Sequence, residues 1–194
     1  MAVGDSELQG YDEVQKEMME ENCIVVNEND QIIGQDSKVN CHLNEGKLHR
    51  AFSVLIFDSN NKLLIQQRAD EKITFPSIWA NSCCSHPLHQ DGEENGIEGA
   101  KRAAIRKLTQ ELGIEMGKIK AKDLNFITKM HYKARADEKW IEHEVDYIFV
   151  TKMDVKIGPW FRLIRNNFLD KIWRNLKSLE NIEDKQVHHM GEVN

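Results

Sequence analysis

GIEGAKRAAIRKLTQELGI, residues 96–114, is the stretch on which the reading of this chain turns. Ile97, Ala100, Ala104, Ile105, Leu108 and Leu112 recur at helical spacing and fall on one face. Gly113 follows at once and suits the left-handed backbone that ends helices. The spacing predicts a helix over 96–112. The sequence on either side has a different rhythm.

Upstream, CIVV (23–26) and IIG (32–34) flank the turn NEND and predict a hairpin. AFSVLIF (51–57) and KLLIQQR (62–68) flank DSNN, and their apolar runs predict a central hairpin buried on both faces. Downstream, NFITKMHYKA (125–134) and EHEVDYIFV (142–150) predict a third. Pro159 then opens a predicted helix with the stripe Phe161, Ile164, Phe168, Ile172, Leu176 and Leu179. Hairpins with helices on both sides make an α+β sandwich. We expect a polar extension over 1–22, with a solvated acidic helix from Asp12 to Glu21. One domain should span 23–180, and a polar tail 181–194.

At 194 residues the chain is long enough for one well-buried domain. Its net charge of −6 argues against a nucleic-acid surface. No apolar run has the length of a membrane span, and the acidic N-terminus resembles neither a secretion signal nor an Arg-rich transit peptide. With four cysteines and no such signal, the expectation is a cytoplasmic protein in a reducing compartment.

Chemistry concentrates in three places. In EHE, Glu142 and Glu144 leave the same face of a strand while His143 points away. Two adjacent carboxylates repel unless a cation lies between them. CHLNEGKLHR (41–50) carries His42 and His49, and NSCCSHPL (81–88) carries His86 beside Cys83 and Cys84. Three imidazoles and two carboxylates form a mixed shell that suits Mn²⁺ or Mg²⁺ and tolerates Zn²⁺. A structural zinc using Cys41, Cys83 or Cys84 with histidine is the competing reading, although the spacings lack a paired C-x₂₋₄-C.

Gly92, Glu98 and RKLTQELGI (106–114) follow the Nudix box, G-x₅-E-x₇-REUxEExGU, except that Lys107 and Gln110 stand in for two of its glutamates. A Nudix diphosphatase is therefore disfavoured. The motifs HLNEGKLHRAFSV, QQRADEKITFP, WANSCCSHP, ELGI, HYKARAD, WIEHEVDY and PWF, in this order, make the chain resemble the type I isopentenyl-diphosphate Δ-isomerases, which have a Nudix-like fold.

The resemblance implies an enzyme of isoprenoid biosynthesis that interconverts isopentenyl and dimethylallyl diphosphate. It implies His42, His49, His86, Glu142 and Glu144 as metal ligands, and Glu111 as the carboxylate of a second Mg²⁺ arriving with the diphosphate. Cys84 and Glu144, the latter supported by Tyr132, would be the catalytic groups. Lys38, Arg68, Lys72 and Lys107 would hold phosphate, and Tyr132 and Trp160 would line the pocket. The expected partner is then a small diphosphate substrate, with no nucleic acid or membrane, and the expected state is a monomer.

Three departures from the family are expected to matter. Lys107 replaces an arginine, which loses a bidentate donor. Ser77 and Ala80 replace a glycine and a threonine, so Ser77 should strain its loop. A strand and a helix of the family are missing near 154–157, which should leave an exposed edge and apolar surface. This gap keeps open an inactive relative that acts as a binding module. Some relatives end in a peroxisomal tripeptide; here HHM is followed by GEVN, so no such address is expected.

Overall fold

Strand β3 (His49–Phe57) explains the architecture, because it is buried along almost its whole length and has partners on both edges. The computed structural model describes residues 7–156, 158–159 and 161–164. In chain order the other elements are α1 (Glu13–Met19), β1 (Asn22–Val26), β2 (Ile32–Ser37), α2 (Lys38–His42), β4 (Leu63–Gln67), β5 (Trp79–Ala80), β6 (Cys83–Ser85), α3 (Gly96–Leu112), β7 (Asn125–Arg135), β8 (Ile141–Lys152) and β9 (Phe161–Ile164). Together the strands form one mixed sheet, which gives the expected α+β class.

On one side, β3 runs parallel to β8 in an unbroken register from His49↔Glu144 to Phe57↔Lys152. On the other it meets β1 at His49, β6 at Phe52–Val54 and β4 at Phe57 alone. The expected central hairpin of β3 and β4 therefore opens after a single pair. Ser82, fully buried, bridges the opening: its hydroxyl accepts from the Ile56 amide at 2.8 Å and donates to the Leu64 carbonyl at 2.7 Å. A buried amide with no other partner needs such a bond. The opening is what admits β6, with Cys84 and the approach to His86, into the sheet.

Helix α3 forms where the periodicity predicts, and Gly113 ends it at φ +65°. Its buried face is made of small residues, Gly99, Ala100, Ala103 and Ala104, with Leu108. This lets the helix approach Phe52, Val54, Cys83, Tyr147 and Phe149 closely in the main core. Gly99 is packed tightest, since a Cβ there would lie 2.2 Å from the Glu93 carbonyl oxygen.

Two expectations are corrected. The stretch before residue 23 is not merely a polar extension: Leu8 and Met19 are buried with Val39, Ile73 and Trp140, and the Trp140 indole donates to the Tyr11 hydroxyl. Residues 161–164 are a strand, not the start of a helix. They pair antiparallel with β4 from Gln66↔Phe161 to Leu63↔Ile164 and cover that edge of β4. Open strand groups on β4 demand partners, and this demand overrides the helical spacing of Phe161 and Ile164. Phe161 and Leu163 pack on the main core beside Met153 and Val155. The rest of the predicted helix, and the tail, lie outside the described residues.

Candidate active site and metal centre

Three local devices deliver the histidines. His42 is the last residue of α2, a short helix capped by the Ser37 hydroxyl, which accepts from the Asn40 amide. His49 opens β3 directly opposite Glu144 in the β3–β8 register. His86 follows β6, whose pairing with β3 fixes where the chain leaves the sheet. Their Nε2 atoms gather around one oxygen, Glu144 Oε1, at 3.8 Å (His42), 3.6 Å (His49) and 2.9 Å (His86). All four residues are buried, and one ligand atom from each lies within 4.8 Å of the others.

The other ring nitrogens decide what this cluster can do. His42 Nδ1 donates to the Lys38 carbonyl at 2.8 Å, and His49 Nδ1 to the Lys47 carbonyl at 2.7 Å. Each bond fixes the proton on Nδ1 and turns the Nε2 lone pair inward. His49 Nε2 is buried with no hydrogen-bond partner. Burial pulls His42 down to about 4, and His86 is lowered by burial and by nearby Lys38, so both stay neutral. Glu144, although burial opposes its ionisation, is held well below the usual carboxylate range by the three histidine rings around it, of which His86 is within hydrogen-bond distance. His49 is shifted the other way: burial opposes its charge, but Glu144 raises its pKa. Three imidazoles around one ionised carboxylate are the donor set of a divalent metal, which would displace a proton held on His49.

Glu142 stands on the same strand face but outside this tight group. It accepts from the Tyr132 hydroxyl at 3.0 Å and from the Thr74 hydroxyl at 3.2 Å. Tyr132 also donates to Glu144 Oε2 at 2.5 Å, so one phenol joins the two carboxylates. Burial and the Glu144 charge push Glu142 up, and the same two causes push Tyr132 far up, so it remains a neutral donor.

A cavity of about 70 Å³ opens beside the cluster, lined by Lys38, His42, Arg68, Lys72, Cys84, His86, Lys107, Glu111, Tyr132, Glu142 and Glu144. Thus, of the residues picked from sequence, all but His49 and Trp160 reach its wall. His49 sits directly behind it at the ligand cluster, and Trp160 lies outside the described residues. Cys84 faces the cavity, and burial pushes its thiol up to about 12. Cys83 faces the core instead. The four cysteines are unpaired, and none joins the metal cluster, which argues against the structural-zinc reading.

The cations are held in place by backbone. Arg68 donates to the carbonyls of Phe75 at 2.9 Å and Thr74 at 2.7 Å. Its loop holds Ser77 at φ +61°, the strain expected where the family has glycine. Lys107 is only 2% exposed and sits 3.4 Å from Glu111, one helical turn on.

Sequence reading missed several contributors. Thr74 links Arg68 to Glu142, and Gln15, Met18 and Met19 of α1 cover the cavity. Asp146 also lies on the Glu142–Glu144 face, bonded to Ser53 at 2.8 Å, with burial and Glu144 pushing it to about 7. Strand alternation could have found Asp146; nothing local marks Thr74 or α1.

A Nudix domain model matches residues 47–189. The chain is 44% identical over 218 aligned positions to isopentenyl-diphosphate Delta-isomerase 1 of Bos taurus, covering 92% of this chain and 96% of that one. It is 41% identical over 220 positions to the isopentenyl-diphosphate delta-isomerase of Schizosaccharomyces pombe, covering 94% and 96%. These alignments are longer than the chain itself, so they open gaps in it. Among solved structures, a Deinococcus radiodurans protein, DR0079, superposes with a TM-score of 0.51 at 17% identity. That match covers 74% of this chain and 83% of the other, a likeness of fold.

Proposed function

The chain belongs to the type I isopentenyl-diphosphate Δ-isomerases of the Nudix superfamily, and from that membership we propose that it interconverts isopentenyl and dimethylallyl diphosphate in isoprenoid biosynthesis. The observation that carries the reading is one cavity wall holding a protonated thiol, an ionised carboxylate joined to a phenol, and four cationic side chains.

The reaction adds a proton to the terminal carbon of an unactivated double bond and removes one from the allylic carbon on the diphosphate side. A tertiary carbocation lies between. Cys84 and Glu144 exchange these protons with substrate: one donates to form the cation, the other then accepts from it, and the roles reverse in the back reaction. Tyr132 holds the Glu144 carboxylate by its 2.5 Å bond and steers the proton there. Helix α1, through Met18 and Met19, keeps water from the cation. The Trp160 ring would add cation–π attraction of about 0.5–2 kcal/mol.

His42, His49, His86, Glu142 and Glu144 would hold Mn²⁺, Mg²⁺ or Zn²⁺, and a bound ion would polarise the acid–base carboxylate and fix its orientation. Glu111, with a second Mg²⁺, and Lys38, Arg68, Lys72 and Lys107 would anchor the diphosphate, which undergoes no chemistry itself. A thiol that must stay free suits a reducing compartment such as the cytoplasm, and the chain would act as a monomer. No helix among the described residues is long and apolar enough to cross a membrane. A strand–helix segment missing near 154–157 would account for gaps in these alignments, and β9 pairs with β4 just after that point.

The test is incubation with isopentenyl diphosphate and Mg²⁺ in D₂O, following allylic deuteration and phosphate release. Deuteration that vanishes in Cys84→Ala supports the isomerase. Phosphate release would indicate a diphosphatase, and silence in both channels an inactive binding module.

A further inference from the structure

The β7–β8 hairpin has a second face. Tyr132, Glu142 and Glu144 point into the cavity, so by strand alternation His131 and His143 point the other way. The register pairs His131 with Val145 and Lys133 with His143, which sets the two histidines on a cross-strand diagonal. Their Nε2 atoms face each other at 3.2 Å, with the ring planes 18° apart, on an exposed stretch of the hairpin.

We propose that His131 and His143 form a second metal site, for a borderline-soft divalent ion such as Zn²⁺, on the outer face of this hairpin. An ion at the usual 2.0–2.1 Å from both nitrogens would subtend roughly 100°, between octahedral and tetrahedral, with water on its open positions. Two imidazoles select Zn²⁺ or Cu²⁺ over Mg²⁺, which prefers oxygen. The site is thus chemically separate from the carboxylate-rich interior. Lys133 and Arg135 bring positive charge to this face, but both are paired with Glu45, at 3.2 Å and 2.6 Å, which reduces their repulsion. An ion here would clip β7 to β8 directly behind Tyr132 and Glu144 and resist fraying of the strands that carry them.

Equilibrium dialysis of the full chain against ZnCl₂ tests the assignment. The wild type should take up one equivalent more than His131→Asn, with equal melting temperatures for the two metal-free proteins as the folding control. In a zinc titration of the wild type followed by NMR, the His131 and His143 ring signals should shift together, whichever way the variant folds. Equal stoichiometry in two folded proteins, or shifts confined to other histidines, would overturn the site and leave a pair that merely shares a proton.

Discussion

Arg106 grips Glu93 with two parallel bonds, Nε to Oε1 at 2.7 Å and a terminal nitrogen to Oε2 at 2.9 Å. The same guanidinium reaches the His86 carbonyl at 3.3 Å, and Glu93 also accepts from the Leu88 amide at 2.8 Å. Helix α3 therefore holds the loop that carries a proposed metal ligand. Glu93→Gln should destabilise the protein by about 2–3 kcal/mol, since a charge-assisted pair is lost from a mostly buried position. Although burial opposes its ionisation, Arg106 and the surrounding donors keep the Glu93 pKa below its ordinary value. Its stabilisation is thus full above the usual carboxylate pKa of about 4.3 and lost as pH falls through the lowered folded value. Chemical denaturation from pH 7 down to pH 3 should show the wild type losing more stability than Glu93→Gln.

The Cys84 thiol, pushed up to about 12 by burial, is protonated at neutral pH. Iodoacetamide should therefore alkylate it slowly between pH 7 and 8, because the thiolate is the nucleophile. Cys84→Ser should lower the isomerisation rate on the order of 10²–10⁴-fold with little change in melting temperature. Mass-spectrometric alkylation kinetics and the deuteration assay check both expectations. Rapid labelling of Cys84 at pH 7 would remove the case for a protonated thiol.

Gly99→Ala sets two magnitudes against each other. Alanine gains about 1 kcal/mol of helix propensity over glycine. Its Cβ, however, would meet the Glu93 carbonyl at 2.2 Å, and that neighbour is backbone. Overpacking of this kind costs about 1–3 kcal/mol or more, so the net effect should be destabilising. Thermal unfolding reads the sign directly.

Metal should stabilise the folded chain through the inward lone pairs. Saturation to 100-fold above Kd adds about 2.7 kcal/mol. Melting of chelator-treated protein with and without Mn²⁺ should show that gain in the wild type and little of it in His49→Gln, which removes the buried unpartnered Nε2. An equal gain in the variant would exclude His49 as a ligand.

Local rules were enough for α3 and its Gly113 cap, for the β7–β8 hairpin, and for the shared face of Glu142 and Glu144. Helical spacing, a left-handed glycine and strand alternation involve residues close in the chain, so the sequence alone determines them. The ordered motifs likewise carried the family. Only the tertiary structure decided that His42, His49 and His86 meet on one Glu144 oxygen, and that β6 enters where β3 and β4 part. It also decided that Phe161–Ile164 extends the sheet and that Met18 and Met19 roof the cavity. These are settled by register between distant strands and by edges and cavities that must be satisfied, and no short window of sequence contains the partner that satisfies them.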